Sequence, residues 1–105
     1  MKKLLVILLL LFPVHGALAK PTGVVVHATS CDWFIVDGPG GLFLWEWFGG
    51  HVPSEGDTVT LKDGGKLTGY AMREVVFNGR KRGKVWRDDF YLGESEALRL
   101  WSKEC

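Results

Sequence analysis

Short apolar runs broken by frequent glycines recur along most of this chain, the pattern of short strands joined by tight turns. Residues 22–28 (TGVVVHA), 32–37 (DWFIVD), 42–48 (LFLWEWF) and 57–61 (DTVTL) each read as a short strand rich in β-branched or aromatic residues. Residues 67–77 hold a longer strand bent at Gly69, and 84–91 (KVWRDDFY) the last one. Glycine-containing turns separate the strands at 38–41, 49–56, 62–65 and 78–83. The period then changes. Over 94–103 (ESEALRLWSK), Ala97, Leu98 and Trp101 fall on one helical face, and acidic residues occupy the first turn, where the helix dipole favours them. The pattern predicts a mainly β fold of five to six short antiparallel strands with a short C-terminal helix. A sheet of that size closes most readily into a small barrel, which removes its exposed edges.

The order of these strands resembles an OB-fold. A Gly-Val-Val-Val strand at 23–26 comes first, then WFIVDGPGGLFLWEW at 33–47, then EGDTVTL at 55–61. In the last of these, Gly56-Asp57-Thr58-Val59 matches a step into a strand that OB-folds often carry. The resemblance covers residues 22–93 and implies a closed barrel that binds oligonucleotides or oligosaccharides across strands two and three. Two features depart from it. A helix between strands three and four is replaced by the short stretch 49–56, and the chain ends in a helix next to a cysteine. An SH3-like barrel is the alternative.

The first 19 residues follow a different logic. Lys2 and Lys3 precede an unbroken apolar run from Leu4 to Phe12, Pro13 and Gly16 break it, and Ala17-Leu18-Ala19 offers the small residues a signal peptidase reads. The run is too short to span a bilayer comfortably. Residues 1–19 are therefore expected to be a cleaved signal peptide, leaving a single domain at 20–105. Loss of Lys2 and Lys3 takes the basic groups from 13 to 11, against 12 acidic ones, so the net charge moves from +1 to −1. That balance excludes a polybasic nucleic-acid protein. The length excludes a multidomain enzyme. The short basic start points to bacterial export, with the periplasm as the expected address and secretion as the alternative.

Export changes the reading of the two cysteines. Cys31 and Cys105 would meet an oxidising compartment, where an even pair is expected to bridge, and no CxxC or His/Cys cluster argues for metal. One bridge across a separation of 74 residues is worth about 4 kcal/mol in the chain-entropy account.

The 38–41 turn would place Asp37 opposite Leu42, Val36 opposite Phe43, Phe34 opposite Trp45 and Asp32 opposite Trp47. That face is free of charge until Asp32 and is assigned to the core. The other face carries Trp33, Ile35, Asp37, Leu42, Leu44, Glu46 and Phe48, and the C-terminal helix, through Leu98 and Trp101, is its expected cover. Against this structural reading stands an aromatic binding platform, for which Trp33 and Trp47 are the candidates.

Arg80, Lys81 and Arg82, followed by Lys84 and Arg87, form the one dense cationic run. Bracketed by Asn78-Gly79 and Gly83, the first three are expected at a solvated hairpin tip, blunting an edge or contacting an anionic surface. Asp88 and Asp89 follow at once and would partly cancel that field. Adjacent strand residues face opposite ways, so these two carboxylates do not make an acid–base pair. His27 and His51 lack partners at metal-ligand spacing, Ser54 has no nucleophile elbow, and Gly64-Gly65-Lys66 lacks phosphate-loop spacing. No metal, cofactor or catalytic set is expected, and DNA is not an expected partner in the envelope. The sequence points to a non-catalytic binding module for an oligomeric or anionic envelope component. The alternative is a protein-interaction or inhibitor subunit that works through an exposed apolar patch or edge strand.

Overall fold

Six strands and one helix lie within residues 21–105, the part of the chain that the computed structural model describes; segment 1–19, expected to be a signal peptide, lies outside the described residues. The elements are β1 (Gly23–His27), β2 (Trp33–Gly38), β3 (Gly41–Gly50), β4 (Thr58–Leu61), β5 (Ala71–Phe77), β6 (Lys81–Arg87) and α1 (Glu94–Glu104). The strands close into a barrel in the order β1-β2-β3-β6-β5-β4. Every pairing is antiparallel, and β4 returns to β1 through Gly23↔Val59 and Val24↔Thr58. The described strands therefore present no free edge.

The β2–β3 hairpin has the register its turn dictates. Gly38 pairs with Gly41, so Asp37 meets Leu42, Val36 meets Phe43 and Phe34 meets Trp45. Pro39 presets its own φ, and Gly40 takes the left-handed φ of +90° that a tight Pro-Gly turn requires. Phe34, Val36, Phe43 and Trp45 point into the barrel, where Val25, Val59, Leu61, Leu67, Val75, Phe77 and Val85 complete the core.

A second, smaller core lies outside the barrel wall. Ile35 and Leu44, on the outer face of the hairpin, are covered by Ala97 of α1, with Trp33, Leu42, Leu92, Leu100 and Trp101 around them. The helix is the predicted cover, but its face is rotated. Leu98 is exposed and Leu100 packs in its place, because Ala97 shares a stripe with the residues three and four positions on. Cys31 and Cys105 form a disulfide with a Cα separation of 5.9 Å, consistent with an oxidising, non-cytoplasmic setting.

Three boundaries differ from the predicted ones by three residues or more. Strand β5 begins at Ala71, because Gly69 at φ +106° turns residues 67–70 into a loop whose Leu67 drops into the core. The turn before β6 is confined to Asn78, Gly79 and Arg80, with positive φ at the first two, so Lys81 and Arg82 lie in the strand and not at a loop tip. The ladder also ends early, at Arg87. The chain beyond it still bonds to β3 through Asp88, Asp89 and Leu92, and Tyr91 at φ +61° stops further extension.

Candidate functional site

Alternation along β6 sorts the cationic run into two groups. Gly83, Val85 and Arg87 are buried, whereas Arg82 and Lys84 face out, opposite Val76 and Glu74 of β5. Arg80, in the turn, and Lys81, opposite Phe77, are exposed at the same end of the barrel. Arg87 is only 5% exposed, so the expectation that it belongs to a solvated basic strip is corrected by strand parity.

Among the described residues Arg80, Lys81, Arg82 and Lys84 form no ion pair. Glu74 sits opposite Lys84 in register, yet its carboxylate binds Lys62 on the other side at 3.3 Å. Asp88 lies four residues beyond Lys84. At strand rise that is roughly 13 Å, longer than a Debye length of about 8 Å at physiological salt. The cancellation foreseen from sequence adjacency is therefore weak.

Phe48 borders these cations. A bulge in β3 between Trp47 and Gly49 leaves its ring 51% exposed. Gly49, Gly50 and Gly83 carry no side chains, so bare backbone floors a shallow groove between Phe48 and the side chains of Arg82, Lys84 and Glu74. The groove thus combines an aromatic wall, a glycine floor, two cations and the Glu74 carboxylate, which is engaged by Lys62.

Trp33 and Trp47 do not form the expected platform. They lie on opposite faces of β3 and its neighbour, and each is half-buried. Trp33 is under α1 in the outer core, and its carbonyl accepts the indole N–H of Trp101 at 2.9 Å. Trp47 packs on the barrel core and donates its indole N–H to the His51 carbonyl at 3.1 Å. With Phe34, Val52 and Pro53 it lines a small cavity at the barrel mouth.

The structure also assembles a cluster that sequence reasoning missed. Asp57 accepts hydrogen bonds from His51 Nε2 at 2.8 Å, from the Ser54 backbone N–H at 2.9 Å and from Asn78 Nδ2 at 2.9 Å. Burial opposes its ionisation, but the bonds from Asn78, His51 and Ser54 prevail and hold its carboxyl below the ordinary value. The imidazole rests against Phe77. Ser54 contributes its backbone, not its hydroxyl, so the imidazole–carboxylate pair braces the 51–57 loop internally, while the Asn78 bond fastens that loop to the β5–β6 turn. Nothing local in the sequence marks this, since the partners come from a loop and from a turn 21 residues beyond Asp57.

A contrasting acidic corner occupies the other end of the β3–β6 pair. Burial, then Asp32, Glu104 and Asp88, raise the Glu46 carboxyl. Burial, then Asp89 and Glu104, raise that of Asp88. No group of three or more potential metal ligands occurs among the described residues. No family model, curated protein or solved structure matches the chain.

Proposed function

We propose that the protein is an exported, non-catalytic binding module of the bacterial cell envelope, resident in the periplasm, that holds an anionic oligomer in the β3–β6 groove. The observation that carries this reading is the set of uncompensated cations beside an exposed ring: Arg82 and Lys84 flank Phe48 over a glycine floor. Cations of this kind attract carboxylate or phosphate groups, and an exposed aromatic ring stacks on a flat sugar or base. The barrel is compatible with an OB-like fold, whose ligands lie across strands two and three. Here α1 covers the outer face of β2 and the first half of β3. The accessible surface is thereby moved toward β6.

The test uses a uronic-acid oligosaccharide, its neutral counterpart and vesicles of anionic lipid, each titrated calorimetrically at low and high salt. Saturable, salt-sensitive binding of the acidic oligosaccharide supports the proposal when Arg82→Glu with Lys84→Glu weakens it about tenfold or more. No binding, or binding unchanged in the double variant, overturns it. Preference for vesicles over the oligosaccharide assigns the groove to a lipid surface and overturns the oligomer reading.

A second reading, a protein-interaction subunit, is favoured by one observation. Val26, Ile35, Leu42 and Leu98 line an apolar groove between β1 and α1, and Val26 and Leu98 are exposed. Its edge-strand version has no strand to offer among the described residues, because the barrel is closed.

A further inference from the structure

Arg87 is a buried cation without a carboxylate partner among the described residues. It ends β6, points inward and lies between Trp45 of β3 and Ala71 of β5 in the two ladders. Its Nη1 donates to the Lys66 carbonyl. Its Nε is buried with no acceptor, and its Nη2 has none among the described residues. The free pair, Nε and Nη2, is the side-on edge of the guanidinium, the fork that takes a carboxylate or phosphate through two parallel bonds.

The 66–70 loop crosses above this edge and screens Nε from solvent, so only the Nη2 end of the fork, beneath Gly69, is open to a ligand. Apart from its chain neighbours, a side chain added at Gly69 would meet only Arg87 Nη2, at 3.7 Å. Gly69 keeps a φ of +106°, which side-chain-bearing residues rarely adopt, so the approach stays bare. The surrounding charge favours an anion. Arg73 is the neighbouring cation, Lys66 is exposed on the loop, and the one nearby acid, Asp63, is engaged by Arg73 at 3.5 Å. A guanidinium stripped of water and given one neutral acceptor is poorly compensated, and an incoming oxyanion supplies the missing charge and an acceptor for Nη2.

We infer that Arg87, supported by Arg73 and Lys66, forms an oxyanion-binding site beneath the 66–70 loop, which takes the carboxylate or phosphate group of a small ligand at the Nη2 end of the Nε/Nη2 edge. This site lies at the opposite end of β6 from the Phe48 groove and stands independently of it.

Inorganic phosphate, acetate and chloride, titrated into the purified protein at constant ionic strength and followed by thermal melting and by arginine Nε–Hε NMR, provide the test. Saturable stabilisation by phosphate or acetate but not chloride, with a shift of the Arg87 Nε–Hε resonance, is expected. The phosphate and acetate arms tell the two ligand groups apart. Arg87→Gln should weaken binding about tenfold or more, and Arg73→Gln about threefold. Arg99→Gln, on the exposed side of α1, should leave it intact. If Arg87→Gln does not fold, the Arg73→Gln variant and the Nε–Hε shift decide. An absence of saturation, an unmoved Nε–Hε resonance, or binding that survives in a folded Arg87→Gln variant overturns the inference.

Discussion

The indole N–H of Trp101 donates to the main-chain carbonyl of Trp33 at 2.9 Å, fastening the last turn of α1 to the start of β2. The disulfide joins the same two segments, from Cys31, two residues before Trp33, to Cys105, four after Trp101. His27 adds an edge-on ring contact to Trp101, with centroids 4.4 Å apart. The helix is thus tied to the barrel by one covalent and two non-covalent links at one point. Removing the disulfide with Cys31→Ser should cost about 4 kcal/mol and lower the melting temperature by about 10 °C or more. Trp101→Phe keeps a ring but drops the hydrogen bond, and should cost about 1 kcal/mol. Thermal melts of both variants check these values. A melt unchanged by Cys31→Ser would contradict the fastening role.

Asp57 makes folding sensitive to acid. Its folded carboxyl titrates below the unfolded value of about 3.9, so its contribution is complete above that value and lost as pH falls through the lower folded one. Asp57→Asn should cost about 1–3 kcal/mol at neutral pH, since an amide nitrogen replaces one accepting oxygen. The gap between wild type and variant should close as pH falls below about 4. Urea unfolding at neutral and acidic pH measures both.

Glu46 carries the opposite sign. Its folded carboxyl titrates above the ordinary value, so the ionised form is disfavoured by folding at neutral pH, and the penalty disappears as pH falls through the raised folded value. Glu46→Gln should therefore stabilise the protein at neutral pH, by about 0.5 kcal/mol for a partly exposed group, and have no effect in acid. A stability–pH profile that runs parallel to wild type would disprove this.

Gly50 and Gly49 are adjacent but not equivalent. A Cβ on Gly50 would stand 2.5 Å from the Arg82 carbonyl oxygen and 2.7 Å from Gly83 Cα, both backbone atoms that hold the β3–β6 ladder. A Cβ on Gly49 would meet nothing within 4 Å. Both have positive φ, so alanine at either costs about 1 kcal/mol of backbone strain. Gly50→Ala should cost about 2 kcal/mol more, through the clash, and should also widen the proposed groove. Equal losses in denaturant titrations would remove the close approach as the reason for glycine there.

Much of the fold was legible in the chain. The hairpin register followed from Pro39-Gly40 and the alternation on either side, because turn geometry and pleat are both local. The pairing of Cys31 with Cys105 followed from having two cysteines and an export-type start. The helix followed from a change of period at Glu94. The candidate site was legible in part. Arg82 and Lys84 were singled out as cations and Phe48 fell on the outer face by alternation, but their meeting in one groove depends on the pairing of β3 with β6.

The linear order of residues thus settled which side chains share a face of each strand, where the tight turns fall, and that a helix ends the chain. Closure of the barrel decided the rest. It laid the 66–70 loop over Arg87, chose Leu100 over Leu98 as the buried leucine of α1, and brought Asp57 to Asn78. Alternation specifies two faces without saying which loop covers the end of a barrel, and contacts across segments far apart in sequence form only when the strands meet.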